Sequence, residues 1–426
     1  MKLNVKQTIL VGLAFASICA FWQVYDGIVP LILKNTFGMK DTLAGVVMAL
    51  DNVLALFLLP FFGALSDKTT TKIGKRMPFI ITGTAISSVC LIVLPLADRA
   101  KNFSLFIVGL GIVLLAMSIY RSPAVALMPD VTPKEFRSKG NAVINLMGAV
   151  GGIVMLITIT FLVPSELNPN YMPLFAFTAF FMLICVAILF ITIKEPKILK
   201  TMKQDVDTDV QENSTANTGE NKKLPKDVFR SLILILCSVF LWFMGYNAIT
   251  TAFSKYAVTM WGMEGGEYAT VLMVAQVAAI LTYIPVGVIS SKFGRKKTIQ
   301  AGIILLATAF GTAALFKNFS SIILVLFAMA GIAWAFINVN SYPMVVEMSD
   351  GADVGKYTGY YYTFSMSAQI ITPILSGAVM EYFGYRFLFP YGALFVLASF
   401  FTMMLVKHGD HKPLLQKGLE AFDVDD

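Results

Sequence analysis

Two carboxylates and a guanidinium stand where charge is expensive to keep. Asp51 falls about ten residues into an apolar run long enough to cross a bilayer, "VVMALDNVLALFLLPFFGAL". Asp26 lies in "TILVGLAFASICAFWQVYDGIVPLIL", and Arg121 follows Tyr120 in another such run. A carboxylate at the middle of a spanning helix costs roughly 2.5–3.5 kcal/mol on insertion scales. Burial favours its neutral form and a nearby Arg favours the charged one, so such a set suits reversible loading with a proton or cation. The residue types alone also allow a static salt bridge that only ties helices together.

The elements that must position these residues are helices. Hydrophobic residues make up 57% of the chain and charged residues 14%, against the ~25% usual for soluble domains. Mean hydropathy is +0.73. Apolar runs predict twelve spanning helices at roughly 8–33, 42–65, 78–97, 104–129, 140–164, 172–193, 228–252, 266–291, 298–316, 321–345, 357–381 and 386–406, an all-α membrane protein seated in a lipid bilayer. The first run is too long for a signal-peptide core and reads as a retained helix. At ~1.5 Å per residue, Asp26 and Asp51 come roughly 10 and 14 Å below the outer face, and Arg121 about 12 Å above the cytoplasmic one.

The net charge of +7 gives no reason to expect nucleic acid, because Lys and Arg cluster in short connections between apolar runs. All four cysteines sit in apolar runs, which argues against disulfides. The only histidines, His408 and His411, lie near the polar C-terminal end, so carboxylates are left to carry protons in the membrane.

A polar, charge-rich stretch divides the chain into a six-helix bundle at 1–193, a linker at 194–227, a second bundle at 228–406 and a tail at 407–426. Basic residues at Lys68–Arg76, Lys134–Lys139 and Lys292–Lys297 share a side with the linker and tail, which predicts cytoplasmic termini. The halves repeat each other. "GALSDKTTTKIGKR" pairs with "GVISSKFGRKK", and "SPAVALMPDVTPKEFRSKG" with "SYPMVVEMSDGADVGKYTG". A duplicated six-helix unit points to a transporter that rocks one half against the other around a midplane site, and a chain holding both halves is expected to be a monomer.

Gly63, Asp67, Gly74, Lys75 and Arg76 form a pattern that resembles the loop signature of the major facilitator superfamily. Continued through "RMPFI", and joined by "YRSPAVALMPDVTPKEFRSKGNA", it is similar to sucrose transporters and the glycoside–pentoside–hexuronide:cation symporters. The resemblance implies a sugar:cation symporter working by alternating access, with no cofactor, in a plasma (bacterial inner) membrane. Melibiose-permease-like members carry two carboxylates one turn apart on the second helix, which suits sodium. Here Val47 and Ala55 flank Asp51, which favours a proton as coupling ion, with sodium the alternative.

In the superfamily the first, fourth, seventh and tenth helices line the cavity, and they offer Gln23, Tyr120, Trp242, Tyr246, Asn247, Trp334 and Asn338. With Gln369 these are the candidate substrate contacts, since sugars stack on aromatic rings and bond amides and hydroxyls. Asp26, Asp51 and Arg121 are the candidate coupling set. Gly63, Asp67, Gly74, Lys75, Arg76, Asp130 and Arg137 are the candidate gate on the linker side. Gly148 and Gly152 are expected to serve close packing. No Walker loop, zinc spacing or nucleophile motif occurs in a fitting context, so neither an enzyme nor an ATP-driven pump is expected. Export or lipid carriage on the same scaffold, and a non-transporting membrane sensor, are the alternatives.

Overall fold

The structure is a computed structural model that describes residues 4–133, 136–166, 169–198, 225–348 and 354–410. The central part of the linker, the "NST" sequon at Asn213 and the tail from His411 lie outside the described residues. The helices are α1 (Val5–Asn35), α2 (Asp41–Lys68), α3 (Met77–Arg99), α4 (Phe103–Asp130), α5 (Arg137–Leu162) and α6 (Met172–Thr192). The second six are α7 (Lys226–Trp261), α8 (Glu267–Phe293), α9 (Arg295–Ala313), α10 (Ile322–Val346), α11 (Val354–Phe383) and α12 (Leu388–Leu405), with a 3-10 turn at Tyr385–Phe387.

Eleven of these are long and apolar enough to cross a membrane. The twelfth, α9, has 19 residues and opens on Arg295, Lys296 and Lys297, which dilutes its apolar character. Large apolar side chains such as Phe57, Phe161, Leu281 and Leu394 face outward, as a lipid-facing surface requires. The expected span at 228–252 was cut short: α7 continues to Trp261 and ends at Gly262, whose φ of 64° is the left-handed conformation that closes helices. Lys255 therefore lies inside a helix rather than in a connection.

The described chain groups into two compact units. Unit 1 comprises Met1–Trp22, Leu54–Met155 and Tyr171–Lys222; unit 2 comprises Gln23–Val53, Leu156–Asn170 and Lys223–Asp426. One boundary, between Lys222 and Lys223, falls in the expected linker; the others cut α1, α2 and α5 partway along.

Inside unit 1, α3 packs on α4 and α6; inside unit 2, α9 packs on α10 and α12, the same pairing one repeat later. Glycines set both close approaches. A Cβ on Gly83 would come 2.8 Å from Tyr120 Cβ, and one on Gly302 would come 2.8 Å from Phe336 Cβ. In unit 1, α5 meets α1 through Gly148, whose Cβ would reach Cys19 Sγ at 2.9 Å, and through Gly151, whose Cβ would overlap the Ala16 carbonyl.

Candidate functional site

Asp26 on α1 and Asp51 on α2 are brought together in unit 2, near enough that the charge of Asp51 acts on Asp26 and both act on Tyr25. Both carboxylates are half-buried. Tyr25 donates to the Met48 carbonyl at 3.3 Å, one turn before Asp51, and so ties the two helices beside the acid pair. Asn52 Nδ2 donates to Asp51 Oδ1 at 2.8 Å, which holds that carboxylate in one orientation. Gly27, next to Asp26, leaves no room for a side chain: a Cβ there would stand 2.8 Å from the Tyr268 hydroxyl. Arg121 belongs to unit 1, where its guanidinium lies 5.9 Å from the Trp22 ring centroid.

The candidate substrate residues divide by burial. Tyr120 and Trp242 are fully buried. The Tyr120 hydroxyl shares a short hydrogen bond with Ser17 and donates to the Ala14 carbonyl at 2.9 Å, so its polar end is spent on α1–α4 packing. Tyr246 and Trp334 instead form a half-buried face-to-face stack, centroids 3.7 Å apart and rings 7° from parallel. Phe243 meets Trp334 edge-on at 5.3 Å. Beside Tyr246, Asn247 Nδ2 has no hydrogen-bond partner among the described residues. Gln23 and Gln369 are half-buried, while Asn338 is buried one turn beyond Trp334.

On the linker side the candidate gate residues form one network in unit 1. Arg76, 4% exposed, is its hub. Its guanidinium donates to Asp67 and Ser66 in short contacts, to Asp130 at 2.8 Å and to the Gly63 carbonyl at 3.3 Å. Lys75 adds a 3.0 Å contact to Asp130. Gly74 takes a φ of 117°, and Glu195 fills the space a side chain there would need. Glu195 falls outside the expected gate, because the expected linker begins at 194. It is fully buried and accepts from the backbone N–H of Lys75, Arg76 and Met77 at 3.0, 3.1 and 3.3 Å, an anion at the start of α3. The side chain of Arg137 lies outside the described residues.

The second half repeats the device. Gly294 has a φ of 92°, Arg295 pairs with Glu347 at the end of α10, and Asp410 accepts from the Lys296 backbone N–H at 2.9 Å. Where Asp67 stands in the first half, Ser291 only bonds back to the Val288 carbonyl.

A second charged cluster, at the other end of α2, was missed from sequence. Asp41 accepts from Lys255 Nζ at 2.8 Å and from the Tyr385 hydroxyl at 2.7 and 2.6 Å. Lys34 Nζ donates to the same hydroxyl at 2.8 Å and to Thr259 at 2.9 Å. Glu381 accepts from the Thr42 N–H at 3.0 Å. The available signal was a lone lysine six residues before a tryptophan at the end of an apolar run.

Twelve long helices among the described residues, in two matched sets of six, with acids inside the helical layer and a charged hairpin in each set, have the make-up of a polytopic solute transporter. The chain belongs to the Major Facilitator Superfamily, whose family model matches residues 11–275 and 235–423. It is 29% identical over 139 residues to the Arabidopsis thaliana "Sucrose transport protein SUC3", covering 28% of this chain and 23% of that one. It is 29% identical over 137 residues to the Mus musculus "Proton-associated sugar transporter A", covering 29% and 18%. The matched segments thus span a quarter or less of these relatives. The xylose transporter XylE from E. coli, solved in an inward open conformation, superposes with a TM-score of 0.64 at 16% identity, covering 95% of this chain and 96% of that one.

Proposed function

We propose that the chain imports a sugar or glycoside together with a proton, loading the proton on Asp51 with Asp26 as its partner. The observation that carries this reading is the pairing of the two carboxylates on neighbouring helices inside the apolar layer, with Asn52 orienting one of them. Two adjacent acids cannot both hold charge at low cost there, so proton gain and loss become coupled to what else enters the layer. Arg121, beside Trp22, is the candidate counter-charge of the coupling set. The Tyr246–Trp334 stack with Asn247 offers an aromatic face and an amide, the combination that holds a sugar ring. The sugar relatives support the substrate class. In this reading a monomer in the plasma membrane, both termini cytoplasmic, rocks residues 1–193 against 228–406, and the Arg76 network keeps the linker-side helix ends of the first half in register.

The test follows medium pH in lightly buffered, de-energised cells as mono- and disaccharides are added, for wild type and Asp51→Asn. Transient alkalinisation with one sugar, lost in the variant, is expected. Alkalinisation that survives Asp51→Asn would sink the role of Asp51. A pH trace flat for every sugar, with sodium-dependent uptake in its place, would replace the proton by sodium.

A further inference from the structure

Asp41, Lys255 and Tyr385 are side chains of a different kind from those that guard the linker side. Asp41 opens α2, a first-half helix; Lys255 is on α7 and Tyr385 follows α11, both second-half elements. Asp41 and Lys255 are 9% and 4% exposed. Around them the backbones touch. A Cβ on Gly45 would overlap the Pro373 carbonyl, and one on Gly377 would overlap the carbonyl of Asp41 itself. Within unit 2 the far end of α2 is therefore sealed onto α11 by two glycine contacts and locked by one buried ion pair.

We infer that the Asp41–Lys255–Tyr385 cluster is the lock that holds the face opposite the linker closed, and that it must break once in each transport cycle. This rests on the alternating-access reading above, because in that reading every contact between first-half and second-half helices on one face parts when that face opens. The chemistry of the cluster fits a latch rather than a permanent brace. A buried ion pair roughly cancels its own desolvation cost, so the closed state gains little net energy while the geometry is fixed. Losing one partner is another matter, since it strands a buried charge that regains water only when the face opens. Tyr385 adds a neutral donor to Asp41 and receives the Lys34 ammonium, which brings α1 to the same point.

The experiment measures separations between spin labels on Leu43→Cys and Tyr382→Cys, exposed positions on α2 and α11, by pulsed electron resonance in lipid nanodiscs. The background has Cys19, Cys90, Cys185 and Cys237 replaced. Asp41→Asn and Lys255→Met are each expected to raise the ratio of long to short separations about tenfold or more, as the loss of one partner of a buried pair implies. The double variant should do no more than either single change, because both disable one lock. Tyr385→Phe, which removes a single oxygen and leaves packing intact, should shift the ratio in the same direction by less, and it keeps the test readable if a charge variant fails to fold. Distributions like wild type in all variants, or additive shifts in the double variant, would overturn the lock. The readout uses no sugar and no pH change. A failure of the sugar–proton reading therefore shows in the alkalinisation assay while the distance shift persists.

Discussion

At the Asp67 end of α2 a cation is the hub and acids gather round it; at the Asp41 end an acid is the hub and donors gather round it. The Arg76 network draws all its partners from the first half, and Asp67 is 58% exposed. The Asp41 cluster joins first-half to second-half helices and is buried throughout its ion pair. The difference separates two jobs. A network confined to one half can stay intact while the halves move and keeps a set of helix ends in register. On the alternating-access reading, a cluster that bridges the halves exists in only part of the cycle.

This contrast can be broken by substitution, and the largest effect is expected at Arg76. Arg76→Ala leaves the Gly63 carbonyl without its donor and Asp130 with Lys75 alone. Thermal melting in detergent should report a loss on the order of 2–3 kcal/mol, below the 3–5 of a fully buried pair because Asp67 is solvated. The loss should come without any change in the Leu43–Tyr382 separation. Gly45→Ala is next. Its methyl group meets the Pro373 backbone, which cannot swing aside, and about 1–3 kcal/mol of overpacking should fall on the closed form alone. The spin-label distances should lengthen more than the melting temperature falls. Glu195→Gln keeps the shape but removes the charge at the start of α3, and a drop of about 1 kcal/mol in the same melting assay is expected. Least of all, Lys40→Ala should change neither melting nor distances. Its ammonium is 81% exposed and stands 3.8 Å from Glu381, the geometry of a screened surface pair. A clear effect there would mean that the latch extends beyond Asp41.

The two ends of α2 also differ in how legible they were. The Asp67 end announces itself, since glycines and basic residues at fixed spacing need a tight turn and a charged loop, and Gly74 turns there while Arg76 meets Asp130. Eleven spans followed from apolar length alone. Glu195 was hidden because a carboxylate just past the last apolar residue reads as the first polar residue of a linker. Its value appears only when the start of α3 is folded beside it. Lys255 and Asp41 were hidden for a related reason. A lysine in "FSKYAVTMW" lowers local hydropathy and suggests a helix end, and only its partner, more than two hundred positions away, makes burial tolerable. Tyr120 and Trp242 show a different ambiguity: both are fully buried, and in sequence an aromatic facing a cavity looks the same as one facing its neighbours.

Helix α2 runs for 28 residues, a rod of about 42 Å. It carries Asp41 at one tip and Asp67 near the other, with Asp51 between them. Tilting a rod of that length by ten degrees about its middle swings each tip by roughly 4 Å in opposite senses, more than a hydrogen bond can follow. Points near the fulcrum scarcely move. In the proposed cycle Asp51 sits on the part of the lever that travels least, where a proton is held at nearly constant depth while the Asp41 tip exchanges its neighbours.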